Sequence, residues 1–148
     1  NTSIPKPAKR ALKLDMLRAI APTTLPAGKR RDLRIVLGGD MQNYIWTLNG
    51  QAFPKADPLL IRPGERVGVE LVNETMMWHP MHLHGHVFQV VGLNGRAVTG
   101  AQRDTVYVPP MSMVDVALDA GEAARWMLHC HHMPHLETGM MTEFAVSA

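Results

Sequence analysis

The chain has 148 residues, enough for one domain with a sizeable core or for two very small ones. With 46% hydrophobic residues, 19% charged residues and a mean hydropathy of −0.07, it is neither disordered nor fibrous. No apolar run approaches the roughly 20 residues of a membrane span, and a single cysteine excludes an internal disulfide or a four-cysteine metal site held by this chain alone. The net charge of +2 is unevenly spread, because nine Lys and Arg in residues 1–34 face only Asp15 and Asp32. That arm carries no aromatic side chain to interleave with bases, so it reads as a solvated linker and no nucleic-acid partner is expected.

In chain order, Ala8 to Ile20 has Leu12, Met16, Ala19 and Ile20 at helical spacing and predicts a short amphipathic helix ended by Pro22 and Pro26. Residues 1–32 thus read as a basic connector entering a domain, and the chain is expected to be the tail end of something longer. From residue 33 the pattern changes to short β-type runs. Strands are expected at Leu33–Leu37, Tyr44–Leu48, Arg66–Asn73, His86–Gly92, Thr105–Val108, Met113–Leu118, Arg125–His131 and Thr142–Val146. Asn49-Gly50, Pro63-Gly64 and Asn94-Gly95 supply turns between them. This is the pattern of an all-β domain over residues 33–148, an antiparallel β-sandwich or Greek-key barrel.

The eight histidines carry the chemistry. All lie between positions 79 and 135, in two groups: His79, His82, His84 and His86, then His129, His131, His132 and His135, with Cys130 inside the second. Core histidines satisfied by hydrogen bonds usually occur singly, so metal ligation is the economical explanation of the set. On a strand, His129 and His131 project together and Cys130 projects the other way. If Cys130 points inward, the residues divide into Cys130, His79, His135 and Met140 on one side, and His82, His84, His129 and His131 on the other. One thiolate, two imidazoles and a weak thioether suit a blue-copper electron-transfer centre. Zinc is the competitor, but a thioether at Met140 argues against it. The all-nitrogen group suits a harder, oxygen-facing copper site. Electrons on the Cys130 sulfur reach both flanking imidazoles through adjacent backbone.

The two spacings, HxxHxH at residues 79–84 and HCHxxxHxxxxM at residues 129–140, resemble the C-terminal copper motifs of the multicopper oxidases, the laccase and copper-resistance oxidase family. The resemblance covers residues 33–148 and implies a cupredoxin-like domain, the last of the enzyme. It implies a type 1 copper on His79, Cys130 and His135 with Met140 axial. It also implies type 2 and type 3 coppers on His82, His84, His129 and His131. Catalytic electron transfer would run through His135 and Cys130, the imidazole edge of His135 facing the reducing substrate. The reaction implied is one-electron oxidation of phenolic, amine or metal-ion donors coupled to reduction of oxygen to water. Four histidines are half of the family's trinuclear set, so a partner cupredoxin domain or chain is expected to supply four more; a homodimer presenting four plus four is conceivable. The family also implies a periplasmic or secreted setting.

His86 reads as structural or as a hydrogen-bond partner of a ligand, and His132 has no assigned role. Glu137 and Asp104 are candidates for a carboxylate beside the type 1 site. Eleven methionines, nine of them in the copper-motif half, could collect cuprous ions but more economically fill a core with only 5% aromatics. Competing functions are a non-catalytic blue-copper carrier, a nitrite-reductase-like copper protein and a copper-sequestering protein.

Overall fold

The computed structural model describes residues 12–20 and 28–147. Twelve strands fill two sheets: β1 (Arg31–Asp40), β2 (Ile45–Leu48), β3 (Leu59–Ile61), β4 (Arg66–Asn73), β5 (His79–Leu83), β6 (Phe88–Leu93), β7 (Arg96–Ala97), β8 (Gln102–Arg103), β9 (Thr105–Val108), β10 (Met113–Asp119), β11 (Ala124–Cys130) and β12 (Met141–Val146). One sheet runs β2-β1-β4-β10-β6-β7 with β8 added on β6, and the other runs β3-β12-β11-β5-β9. Every strand expected from the sequence is present. The fold is an all-β, cupredoxin-like sandwich. Among the described residues no helix is long and apolar enough to cross a membrane.

Period-2 patterning explains the layers. In β4, Val67, Val69 and Leu71 are buried, and in β10 Val114, Val116 and Leu118 are buried opposite them. From the second sheet Met81, Leu83, Leu128 and Phe144 close the core against this face. Asn49-Gly50 and Asn94-Gly95 both carry two successive positive φ values (52° and 78°, 49° and 75°), as tight hairpin turns of the primed type require.

Three expectations are corrected. The pairing is not wholly antiparallel, because β1 runs parallel to β4 and β12 runs parallel to β3. The physical reason is connectivity: after the β1–β2 hairpin the chain crosses to the other sheet for β3, and β4 returns to lie alongside β1. The segment around His79 is itself a strand, β5, its alternation hidden by polar histidines on both faces. The helix expected from Ala8 to Ile20 is, over its described part, a single 3-10 turn at Leu14–Met16 with no side-chain cap and no buried residue. Asp15 pairs with Arg96 at 3.1 Å, and partly buried Leu14 packs against the core. Leu12, Met16 and Ile20 stay exposed, so the expected apolar face is not buried and a short helix does not repay its nucleation. Residues 8–11 of that expected helix lie outside the described residues.

Leu118, fully buried between the sheets, tests the core: Leu118→Ala is expected to lower unfolding free energy by about 2–5 kcal/mol. Leu60→Ala, at an exposed position, is expected to change it by about 0.5 kcal/mol or less. Chemical denaturation of the two variants checks the contrast.

Candidate metal centres

The inner group is assembled by two paired strands and one short helix. Strand β5 buries His79, Met81 and Leu83, and β11 pairs with it so that Cys130 lies opposite Met81. The chain leaves β11 at Cys130, and α1 (Met133–Glu137) swings His135 back underneath. Pro134 sits in its first turn, where its missing N–H costs nothing. The Nδ1 atoms of His79 and His135 face each other at 3.1 Å, and the Cys130 Sγ lies 3.8 and 3.7 Å from them. All three residues are fully buried. Backbone bonds from Cys130 N to Met140 O (3.0 Å) and from Met140 N to His135 O (2.9 Å) bring Met140, also fully buried, beside both.

Burial sets the electrostatics. Desolvation first, then neighbouring histidines, lowers the pKa of His79 and of His135 to about 4, which keeps both rings neutral with lone pairs available. Desolvation pushes the Cys130 thiol up to about 11, against a weaker lowering by a backbone hydrogen bond from His132. Such a thiol is inert until a cation displaces its proton. Trp46 lies over His135 with ring centroids 4.1 Å apart and edge-on to His79 at 5.2 Å. The edge of His135, expected to face solvent, is therefore covered; exposed His132 sits edge-on to it at 4.3 Å. The His135 Nε2 is buried without a hydrogen-bond partner among the described residues.

The outer group lies on the opposite face of the same strands. His129 pairs with His82 in register, and Thr105 lies beyond His82. His82 donates its Nδ1 proton to the Asp104 carbonyl (2.8 Å), and His129 donates its own to the Cys130 carbonyl (2.9 Å). Each bond leaves Nε2 as the free ligand atom. The Nε2 atoms of His84 and His129 lie 2.9 Å apart. His82, His84 and His129 together form a set with metal-ligand spacing. His131 is exposed, its ring centroid 5.6 Å from that of His82 and 5.9 Å from that of His129. Desolvation first lowers the pKa of both His84 and His129, and adjacent histidines add to it.

His86 touches a ligand's backbone and not its ring. Its Nδ1 donates to the His84 carbonyl at 2.9 Å, its Nε2 accepts from Gly121 N at 2.9 Å, and Phe144 and Trp126 meet it edge-on. Gly85, with φ +67°, makes the turn between them; a Cβ there meets the Trp126 ring at 2.4 Å. Asp104 acts through its carbonyl, while Glu137 is exposed on α1. The methionines divide: Met81 and Met140 are core, and Met76, Met111 and Met133 are exposed. The Asp104 carbonyl, Thr105 and Trp46 are not legible as partners in the sequence, because they depend on sheet register and on β2 reaching α1.

The same architecture is found among known proteins. Residues 27–148 match the sequence profile of a multicopper oxidase family. The chain is 41% identical over 125 residues to the multicopper oxidase MmcO of Mycobacterium tuberculosis, covering 82% of this chain and 24% of that protein. The chain belongs to the multicopper oxidase family. Copper resistance protein A of Escherichia coli is 37% identical over 116 residues, covering 78% of this chain and 19% of that protein. The crystal structure of McoA multicopper oxidase from Aquifex aeolicus superposes with a TM-score of 0.72 at 30% identity, over 86% of this chain and 32% of that one. The chain thus spans about a fifth to a third of these relatives. Copper is the cofactor that membership of the multicopper oxidases implies, and soft and nitrogen ligand sets brought together in two groups suit it.

In the metal-free protein His79 and His135 take up protons near pH 4 when folded and near 6.5 when unfolded. The unfolded chain therefore protonates first as pH falls. Stability is expected to be complete above pH 6.5 and to fall towards pH 4, with a slope of up to about 1.4 kcal/mol per pH unit for each imidazole. Denaturation of the metal-free chain across this range checks it.

Proposed function

We propose that this chain is the C-terminal cupredoxin domain of a laccase-like oxidase, with the domain proper beginning at residue 33. His79, Cys130, His135 and Met140 would hold a type 1 copper. The chain also carries half of a trinuclear cluster on His82, His84, His129 and His131. The observation that supports this most is the placement of Cys130 inward between His129 and His131 on the outer face. A one-residue step along β11 passes from the buried thiol to imidazoles on the opposite side of the sheet.

When bound, copper supplies one-electron redox chemistry at the inner group and oxygen reduction at the outer one. The chain's own residues do the rest. His79 and His135, neutral and dry, hold two nitrogen donors in place. Burial keeps water and adventitious oxidants away from the Cys130 thiol. His82 and His129 keep their protons on Nδ1, bound to carbonyls, so that Nε2 is presented outward to the open face. His135, whose surface neighbour is His132, and the Cys130 backbone would be the chain's own route for electrons to and from bound copper. The remaining four histidines come from another cupredoxin domain or chain. The reducing substrate is a small phenolic, amine or metal-ion donor, and the assembled protein works in the periplasm or outside the cell.

Copper loading followed by absorption and electron paramagnetic resonance tests the inner site: an intense thiolate-to-copper band is expected, and Cys130→Ser is expected to abolish it. Colourless binding in the unaltered chain overturns the assignment. With a donor present, the chain alone is expected to consume no oxygen by four-electron turnover; such turnover by a monomer overturns the half-site reading.

A further inference from the structure

Three buried polar residues outside the metal-binding motifs or at their edge form one chain of hydrogen bonds. Asn73, at the end of β4, is buried, as are Thr75 and His79. The Asn73 amide nitrogen shares its two hydrogens among the carbonyl oxygens of Met77, Val108 and Pro109, at 2.7, 3.1 and 2.9 Å. A flipped amide would set its oxygen against three carbonyls, so the orientation is fixed. Its Oδ1 then accepts from Thr75 N at 2.9 Å and from the Thr75 hydroxyl at 2.8 Å. The same hydroxyl accepts from Met77 N at 3.2 Å and lies 2.7 Å from His79 Nε2.

A hydroxyl has one proton to give. Asn73 Oδ1, a locked acceptor at 2.8 Å, takes that proton in preference to the Met77 carbonyl at 3.3 Å; neither choice leaves it for His79. Towards His79 the Thr75 oxygen therefore presents a lone pair, and the His79 ring carries its proton on Nε2. That leaves Nδ1 bare, facing the Cys130 sulfur and the His135 Nδ1. His135 has no such support, since its own Nε2 lacks a partner among the described residues. The two imidazoles of the inner group are chemically unequal.

We propose that Thr75, held by Asn73, is a positioning residue that fixes the His79 tautomer and lowers the reduction potential of the inner copper centre. An Nε2–H bonded to an oxygen acceptor makes the ring a stronger donor at Nδ1. A stronger donor stabilises the more highly charged cupric ion over the cuprous one. The inference rests on the assignment of His79 as a copper ligand.

The test uses the full copper-loaded chain and two substitutions. Thr75→Val keeps the side-chain shape and removes the hydroxyl; Thr75→Ser keeps the hydroxyl. The blue band is expected in all three proteins. Relative to the unaltered chain, Thr75→Val is expected to titrate at a higher potential and to bind cupric ion about 10–100-fold more weakly, with cuprous affinity less affected. Thr75→Ser is expected to restore both values. Nitrogen-15 NMR of the unaltered cuprous chain gives a reading that needs no variant, namely a slowly exchanging proton on His79 Nε2. A blue Thr75→Val with unchanged potential overturns the proposal, and so does a His79 ring without a proton on Nε2. Absence of the blue band from the unaltered chain instead overturns the ligand assignment and the inference with it.

Discussion

The pairing of β11 with β5 is the constraint on which both centres depend. Its register sets Cys130 opposite Met81 and His129 opposite His82. Because side chains alternate across a strand, that single alignment sends the thiol into the core and the imidazoles to the opposite face. A slip of one residue would exchange them, placing a histidine among Val106, Met81 and Leu128 and a thiol in water. The apolar rows on either side of the motif thus enforce the separation of two chemistries that lie one peptide bond apart.

Burial then does different work on the two faces. Inside, it raises the thiol and lowers the imidazoles until all three groups are neutral, so the metal-free pocket carries no stranded charge. Outside, backbone carbonyls orient the rings, and the ligand atoms converge towards open surface. The inner group is enclosed within this chain, whereas the rings of the outer group lie towards the surface, with His131 exposed. The chain covers only about a fifth to a third of each reported relative's length, which agrees with that asymmetry.

Much of this was legible in the sequence, for identifiable reasons. Strands such as Arg66–Asn73 alternate cleanly, and the asparagine–glycine turns state their own backbone geometry. The division of histidines into two groups followed from counting by twos around Cys130. What stayed hidden required partners distant in sequence. Strand β5 alternates between buried and outward histidines, so hydropathy shows no period there. The carbonyl of Asp104 meets His82 only through the β5–β9 register, and Trp46 reaches His135 across 89 positions of sequence. The parallel pairs β1–β4 and β3–β12 follow from chain crossings between sheets, which local patterns do not encode. For His86 the sequence left a structural role and a bond to a ligand open, and the turn at Gly85 directs its ring to backbone groups.

The placement of β12 carries a consequence for the Cys130 thiol. This strand follows all the inner ligands in sequence, yet it lies between β3 and β11 within its sheet. Until residues 141–146 are synthesised and paired, the wall beside Cys130 is missing and the thiol stands in water. A thiol in that state is open to oxidation and to capture of any soft ion present. The shelter of the Cys130 thiol therefore depends on the last described strand of the chain to be made.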